Sequence, residues 1–446
     1  MKRVFVANRG EIALRAVRAC RRLGLETVAA YSTADANSPH VWAADRAICV
    51  GPPPPRESYL NIPGLVEAAR ASGCDAVYPG YGFLAEKSEF AAACAKEGLV
   101  FVGPRPETIA LMGDKVAARR TAIQHGIPVV PGSEQGFTDA MAAARAATAI
   151  GYPLLLKAAG GGGGRGMRIV EAPDEFTARF EQASAEAGAA FNNPEIYLER
   201  FFRRVRHVEI QVIGDRHGNA IHLWERDCSV QRRHQKLVEE APSPVLSAAM
   251  RRAMAEAALA LVRAITYENA GTIEFIVDLD AGGFYFIEMN TRIQVEHPVT
   301  EALTGTDLVA EQLRIAAGEV LSIAPPAEPC GCAIEFRINA EDASRDFFPS
   351  PGTIRHWAPP TGPGIRLDSH VYAGYAVSPF YDSLLGKLII TGPDRASALE
   401  RARRALAIFG VAGVATTIPF HRRLIEEADF LSGALHTRWI EQEFRA

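Results

Sequence analysis

The sequence is poor in lysine, because only seven of its 48 basic residues are lysine and the rest are arginine. Three of the seven, Lys115, Lys157 and Lys236, fall inside the motifs considered below. The planar fork of arginine does not replace a compact ammonium group everywhere. We therefore take the remaining lysines as an indication of positions where an ammonium group matters.

Cysteines and long apolar runs are also scarce. The seven cysteines are scattered without C-x-x-C spacing, which argues against a zinc site and indicates a reducing compartment. No run is long enough to span a bilayer, and Met1-Lys2-Arg3 passes directly into strand-like residues, which leaves no room for the apolar core of a signal peptide. We expect a cytoplasmic protein with no membrane contact.

The charge is nearly balanced, with a net value of −4 and both signs mixed along the chain. This balance gives no general attraction to nucleic acid, and we expect none as a partner. One local cluster, Arg200, Arg203, Arg204 and Arg206, is interpreted as a solvated strand end rather than an anion site. Neither G-x-G-x-x-G nor G-x-x-x-x-G-K-[ST] occurs in its required context.

Two patterns of secondary structure divide the chain. Short apolar strands alternate with helical segments over the first hundred residues, which predicts a doubly wound parallel sheet. After Val205 the strands look antiparallel, with His207, Glu209 and Gln211 alternating against apolar residues. A third region begins after Pro325-Pro326. The length predicts two to four domains or subdomains, and the fold class is a combination of α/β and α+β.

A glycine-rich segment, from Gly160 to Gly164 and Gly166, lies between two predicted strands. Glycine permits close backbone approach, so such a loop can wrap its N–H groups around phosphate oxygens, with Lys157 adding a charge at the end of the first strand. A flexible flap over a nucleotide fits this order. An ordinary mobile hairpin tip has the same composition.

Five polar side chains recur at every second position between Phe286 and His297. In an extended chain they point to one side. Carboxylate and amide oxygens suit a hard cation such as Mg²⁺, a guanidinium suits an oxyanion, and the last carboxylate is available to move a proton. A half-exposed strand explains the alternation equally well. The five are Glu288, Asn290, Arg292, Gln294 and Glu296.

Two further features lie near this row. Glu274 is predicted on a strand next to that of Glu288 and Asn290, so that the three side chains have the chemistry to hold two cations between the phosphates of one nucleotide. The segment from Arg226 to Pro242 is predicted to be a loop that supplies Gln231, His234 and Lys236 beside an anion. For Arg232 and Arg233 in this loop, simple exposure to solvent is an alternative.

Over nearly its whole length the chain resembles the biotin carboxylases, the ATP-grasp component of biotin-dependent carboxylases. The segments from Gln231 to Lys236 and from Glu288 to Glu296 are the most specific. The resemblance also rests on Ala7 to Ala13, Pro79 to Leu84, Met112 to Lys115, the glycine loop, Ile338 to Asp342, Pro349 to Gly352 and Tyr381 to Ser383.

The resemblance implies an ATP-grasp fold preceded by the doubly wound parallel-sheet domain, with a small lid subdomain and a C-terminal mixed β domain. The corresponding boundaries are a doubly wound α/β domain at 1–113, a helical linker at 114–135, a lid with the glycine loop at 136–203, a central catalytic part at 204–328 and a C-terminal domain at 329–446.

It also implies roles for individual residues. Glu296 is the catalytic base that deprotonates bicarbonate, and Arg337 binds biotin and steadies its enolate. Bicarbonate is held by Lys236, Arg292, Gln294 and the backbone of Val295, of which Lys236 and Arg292 also count as catalytic. The metal ligands for two Mg²⁺ or Mn²⁺ ions are Glu274, Glu288 and Asn290. ATP is bound by Lys115, Lys157, Gly163, Gly164, Glu199, Arg200, Phe202, His207, Gln231, His234, Glu274 and Glu288, with the backbone from Glu199 to Phe202 reading the adenine edge.

The same resemblance implies partners. No Met-Lys-Met biotinylation site is present, so biotin is expected on a separate biotin carboxyl carrier protein, with separate carboxyltransferase subunits and a homodimer of this chain. An acetyl-CoA or other acyl-CoA carboxylase is the expected setting, with pyruvate or urea carboxylase as alternatives. The rival hypotheses are another ATP-grasp ligase and a scaffold subunit without catalytic activity. Tyr78, Ala85, Lys87 and Arg200 depart from the usual family pattern.

Overall fold

The computed structural model describes residues 1–158, 167–191, 193–324 and 328–444. The chain separates into two compact units, of which the first comprises Met1–Ile127, Arg206–Ile276 and Glu288–Ala446. The second comprises Pro128–Val205 and Val277–Ile287. Among the described residues, every helix falls short of the length and apolar character that crossing a membrane requires.

The N-terminal part of the first unit confirms the predicted alternation. Its five strands form a fully parallel sheet with the order β3-β2-β1-β4-β5. Helices cover both faces because the central strands β1 and β4 bury apolar side chains on each side. The elements are β1 (Arg3–Val6), α1 (Gly10–Arg22), β2 (Glu26–Ser32), α2 (Pro39–Ala43), β3 (Arg46–Gly51), α3 (Ile62–Ala71), β4 (Ala76–Tyr78), α4 (Ser88–Lys96), β5 (Val100–Phe101), α5 (Pro106–Gly113) and α6 (Lys115–Gln124).

The second unit is a small antiparallel sheet with the order β7-β6-β8 and two helices. Alternate residues of its strands, such as Leu154, Leu156 and Leu198, are buried against Phe176 and Phe180. The two strands predicted on either side of the glycine loop are observed as β6 and β7. The loop itself, within residues 159–166, lies outside the described part. Its elements are α7 (Ala140–Ile150), β6 (Leu154–Ala158), β7 (Met167–Val170), α8 (Phe176–Phe191) and β8 (Ile196–Arg200).

An eight-stranded sheet with the order β13-β12-β9-β10-β11-β14-β21-β19 carries the polar motifs. The antiparallel pairing predicted for His207 to Ile213 is confirmed by the register of β9 against β10. The elements that enter this sheet first are β9 (Val205–Gly214), β10 (Ala220–Arg232), β11 (Gln235–Ala241), α9 (Ala248–Ala264), β12 (Asn269–Asp278), β13 (Phe284–Asn290), α10 (His297–Thr304) and α11 (Leu308–Ala316).

The predicted loop from Arg226 to Pro242 was wrong, because this segment is mostly the β10–β11 hairpin. Arg226 and Asp227 lie on β10, where they are buried and paired within the sheet. The solvated strand end proposed for the arginine cluster was wrong for Arg206. Its guanidinium is fully buried, and its Nε lies 3.0 Å from a carboxylate oxygen of Asp227.

The C-terminal part completes the sheet and packs helices against it around a large apolar cluster that includes Phe336, Leu388 and Leu406. Its elements are β14 (Cys332–Asn339), β15 (Glu341–Asp342), β16 (Phe348–Pro349), β17 (Gly352–Thr353), β18 (His356–Ala358), β19 (Ile365–Ser369), β20 (Ala376–Val377), β21 (Leu384–Gly392), α12 (Arg395–Ile408), β22 (Gly410–Ala412), α13 (Ile418–Leu424), α14 (Ala428–Ser432) and α15 (Trp439–Gln442). The five domain boundaries remain a prediction.

Candidate active site

The polar row after Phe286 is extended only in part. Strand β13 ends at Asn290, and α10 begins at His297 with Pro298 in its first turn. The expectation of one extended segment was therefore wrong beyond Asn290, since the chain must turn there to enter the helix. Proline favours such a turn because its fixed φ suits the start of a helix.

Three side chains of this row, Asn290, Arg292 and Gln294, nevertheless contact one another. Arg292 donates from Nη2 to Oδ1 of Asn290 and from Nη1 to Oε1 of Gln294, both at 2.9 Å. Its Nε donates to Glu86 at 2.8 Å. The Gln294 amide donates in turn to Glu274 at 3.2 Å. The guanidinium is thus fixed in place by three groups.

Lys236 joins three carboxylates from different elements. Its ammonium lies 2.7 Å from Glu209 on β9, 3.1 Å from Glu274 on β12 and 2.6 Å from Glu296 at the start of α10. The β10–β11 register places Lys236 opposite Gln231. Burial alone would lower the pKa of Lys236, but the acidic groups around it raise that pKa well above its ordinary value.

Glu296 lies between two cations. One carboxylate oxygen contacts Lys236, and the other accepts from Nη2 of Arg337 on β14 at 3.0 Å. Burial would raise the pKa of Glu296, yet Lys236, Arg337 and Arg226 hold it well below its usual range. The carboxylate is fully buried and ionised, as a proton acceptor must be.

The residues predicted to hold metal fit that role chemically. Glu274 on β12 and Glu288 and Asn290 on the neighbouring β13 offer carboxylate and amide oxygens, the ligands that Mg²⁺ and Mn²⁺ prefer. Burial would raise the pKa of Glu274, but Lys236 and His207 hold it below its usual range, so the group is ionised.

Other predicted nucleotide ligands lie close to this group in the first unit. His207 Nε2 is 3.0 Å from Oε2 of Glu274, and Lys115 Nζ is 3.1 Å from Oε2 of Glu288. Burial would lower the pKa of His207, but the Glu274 carboxylate raises it. Gln231 is buried near the end of β10, and His234 is exposed in the hairpin turn.

The remaining predicted nucleotide ligands belong to the second unit. Lys157 on β6 forms an ion pair with Glu199 on β8, and Phe202 stacks on Tyr285 with ring centroids 4.9 Å apart. The Arg200 guanidinium donates to the carbonyl of Ile150 at 3.4 Å. The backbone amides of Arg200 and Phe201 donate to Pro131 and Pro153. Gly163 and Gly164 lie outside the described residues.

Sequence reasoning missed several residues of this site. Glu209 and Arg226 form a fully buried ion pair beneath Lys236, with the Glu209 carboxylate 2.6 Å from Nε of Arg226. Glu239 accepts from Nε of Arg337 at 2.6 Å, and burial raises the pKa of Glu239 to about 7 although Arg337 opposes this shift. Glu209 lies in the alternating strand noted above, which was a usable signal. Nothing in the sequence marked Glu239.

Among the Tyr78, Lys87 and Arg200 departures, only Tyr78 has a buried hydrogen bond, since its hydroxyl donates to Gln312 at 3.0 Å. This contact is away from the lysine and glutamates described above, in the core shared by β4 and α11. The substitution therefore alters packing rather than the charged groups of the site.

Comparison with known proteins identifies the family. Three family models match the chain: the biotin carboxylase N-terminal domain at 1–109, the carbamoyl-phosphate synthase L chain ATP-binding domain at 114–324 and the biotin carboxylase C-terminal domain at 335–442. A biotin carboxylase from Nostoc is 52% identical and covers 99% of this chain and 98% of its own length. A pyruvate carboxylase subunit from Methanothermobacter thermautotrophicus is 48% identical and covers 99% of this chain and 89% of its own length.

A solved structure agrees with these matches. The biotin carboxylase domain dimer of Hydrogenobacter thermophilus 2-oxoglutarate carboxylase, in complex with MgADP, ADP and bicarbonate, is 47% identical with a TM-score of 0.90. The match covers 99% of this chain and 97% of that chain. The ATP-grasp fold predicted from the sequence is thereby confirmed, and the chain belongs to the biotin carboxylase family.

Proposed function

We propose that this chain catalyses the ATP- and bicarbonate-dependent carboxylation of biotin carried on a separate protein. The observation that carries the proposal is the contact of the buried Glu296 carboxylate with Lys236 at 2.6 Å and Arg337 at 3.0 Å. A base held ionised between two fixed cations is suited to an anionic substrate whose proton it must remove.

The first step follows from this arrangement. Bicarbonate binds to Lys236, Arg292, Gln294 and the Val295 backbone, and Glu296 takes its proton. The freed oxygen attacks the γ-phosphorus of ATP, which gives carboxyphosphate and ADP. Bound at Glu274, Glu288 and Asn290, Mg²⁺ or Mn²⁺ supplies charge neutralisation at the phosphates.

The second step transfers the carboxyl group. Carboxyphosphate separates into CO₂ and phosphate, and the phosphate removes the proton from the ureido nitrogen of biotin. Arg337 stabilises the enolate that forms, which then attacks CO₂. Water must be excluded because carboxyphosphate hydrolyses readily, and the glycine-loop segment is the proposed lid.

The nucleotide roles of the second unit belong to the same proposal. Lys157, Gly163 and Gly164 would bind phosphates, while Glu199, Arg200 and Phe202 would bind the adenosine part. The nucleotide ligands proposed in the first unit are His207, Gln231, His234 and Lys115.

The partners are a biotin carboxyl carrier protein, a carboxyltransferase and a second copy of this chain. An acetyl-CoA or other acyl-CoA carboxylase is the proposed assembly. The similarity to the pyruvate carboxylase subunit from Methanothermobacter makes pyruvate the second candidate acceptor. All seven cysteines are free thiols. Because a reducing cytoplasm maintains this form, the proposed location is the cytoplasm.

The test is ATP hydrolysis by the purified chain with and without bicarbonate and free biotin. We expect turnover that requires bicarbonate and rises with biotin, and transfer of ¹⁸O from labelled bicarbonate into released phosphate. A silent scaffold subunit shows no turnover, and another ATP-grasp ligase ignores both additions. Recovery of the native carrier and transferase by affinity capture identifies the acceptor pathway.

A further inference from the structure

A lysine outside every predicted site is fully buried beside Arg337. Lys387 lies on β21, directly opposite Arg337 on β14 in the antiparallel register, so both side chains leave the same face of the sheet. Helix α10 packs against that face, over β10, β11, β14 and β21. The Lys387 side chain is 0% exposed.

The ammonium of Lys387 has two strong partners. It lies 2.9 Å from Oε1 of Glu11, in the first turn of α1, and donates to the backbone carbonyl of Val295 at 2.8 Å. The hydroxyl of Tyr81 also donates to Glu11. A continuous chain of bonds therefore runs from the loop at 79–82 through Glu11 and Lys387 to the segment before α10.

The Val295 carbonyl shares a planar peptide unit with the N–H of Glu296. Fixing that oxygen fixes the orientation of the peptide from which the catalytic base projects. The preceding carbonyl, of Gln294, is held as well, because His297 lies 2.7 Å from it through Nδ1. Hydrogen bonds to two successive carbonyls thus hold the segment of Gln294, Val295 and Glu296, although this segment has no regular secondary structure.

Stability alone does not explain the buried lysine. A buried ion pair contributes little compared with apolar residues of similar volume, because both charges lose their hydration. A cation near the N-terminus of a helix also opposes the helix dipole. The bond from Lys387 to the Val295 carbonyl, by contrast, holds the peptide that precedes Glu296.

We propose that Lys387 is a positioning residue for bicarbonate, acting through the Val295 carbonyl to hold the segment of Gln294, Val295 and Glu296 in its binding orientation. The inference rests on the proposed function. Lys387 does not touch bicarbonate itself, so its loss affects bicarbonate binding first and the nucleotide little.

The experiment measures bicarbonate-dependent ATP hydrolysis for the full chain and for Lys387→Met and Glu11→Gln. Methionine keeps the length of the side chain but cannot donate, and the glutamine keeps an acceptor for Lys387 without the charge. Arg395→Met is the matched control, because it removes a different cation, 2.7 Å from Glu240, that lies outside the site. Folding is checked by circular dichroism and thermal melting.

We expect Lys387→Met to raise KM for bicarbonate about tenfold or more while KM for ATP stays within about twofold. The tenfold figure corresponds to the loss of roughly one hydrogen bond from a charged donor. Glu11→Gln should shift KM for bicarbonate in the same direction by about two- to fivefold, and Arg395→Met should change neither constant.

Three outcomes overturn the inference: an unchanged KM for bicarbonate in folded Lys387→Met, an equal rise of both KM values, or the same effect in Arg395→Met. If Lys387→Met does not fold, Glu11→Gln decides, and an unchanged KM for bicarbonate in that variant rejects the role. Absence of bicarbonate-dependent turnover in the unaltered chain rejects the proposed function instead, so the two failures are distinguishable.

Discussion

At the scale of single residues, the chemistry depends on charges that are buried but compensated. Lys236, Glu296 and Arg337 each have little or no exposure, and each has an opposite charge within 3.0 Å. Burial of an unpaired charge is very costly. Replacing one of these three residues by an uncharged one leaves its neighbours buried without an opposite charge. Conservative replacements that keep volume are therefore the informative ones.

We predict that Glu296→Gln lowers kcat for bicarbonate-dependent ATP hydrolysis by about 10²- to 10⁴-fold, the range for loss of a general base. The amide keeps the shape of the side chain but accepts no proton. Steady-state kinetics at saturating ATP measure the change.

Glu240→Gln is the control for this variant. Glu240 is also buried, but it lies on β11 with Arg395 as its partner, outside the site. Its turnover should stay near that of the unaltered chain. If the turnover of Glu296→Gln equals that of Glu240→Gln, Glu296 is not the base.

At the scale of elements, the β10–β11 hairpin carries Gln231 on β10, Lys236 on β11 and His234 in the strained turn between them. Arg233 and His234 have φ values of 48° and 65°, in the left-handed region that non-glycine residues rarely adopt. Two acidic groups hold the turn from the C-terminal part. Asp346 lies 2.9 Å from Nη2 of Arg233, and Glu441 accepts from the Arg233 amide at 2.6 Å.

We expect Asp346→Ala to loosen this turn and raise KM for ATP by about fivefold, roughly 1 kcal/mol of binding energy. Loss of the exposed ion pair should change the melting temperature little, whereas alanine at position 346, where φ is 57°, should lower it slightly. Kinetics with varied ATP at fixed bicarbonate measure the effect.

Glu400→Ala serves as the comparison for Asp346→Ala, since it breaks an exposed pair with Arg403 on α12, 2.7 Å apart and outside the hairpin. If both variants change KM for ATP equally, or neither does, the hairpin turn is not what the Asp346 contact supports.

At the scale of the whole molecule, buried neutral histidines couple stability to pH. Burial lowers the pKa of His40 to about 4, of His370 to about 3 and of His421 to about 4. All three are excluded from solvent. Below pH 6.5 these histidines bind protons in the unfolded chain but stay neutral in the folded one. Each of them therefore lowers the free energy of unfolding as the pH falls toward its folded pKa.

His40 allows a direct test. Its ring is held by Ser38 and the Ala30 carbonyl, with Asp35 and Arg9 as the neighbouring charges. Between pH 6.5 and 4.5 the stability of the unaltered chain should fall relative to His40→Gln by up to about 1.4 kcal/mol per pH unit. Parallel pH profiles of unfolding for the two proteins would contradict the neutral buried state.

Local patterns in the sequence determined much of this protein. Strand and helix alternation in the first hundred residues and the alternating strand from His207 to Ile213 are set by short-range hydrophobic periodicity, and both are observed. The motif from Glu288 to Glu296 likewise supplied most of the proposed chemistry. The resemblance to biotin carboxylases supplied the reaction.

Tertiary structure decided what those patterns leave open. Periodicity does not say that a charged segment will be buried, which is why the β10–β11 hairpin looked like a loop and Arg206 looked solvated. Glu209, Glu239 and Lys387 are far apart in the chain and lie on β9, β11 and β21, which are separated by β10 and β14 in one sheet. Only that sheet brings them to Lys236, to Arg337 and to the backbone next to Glu296. Charge can be placed in a protein interior only where long-range folding provides its partner, and no local stretch of sequence carries that information.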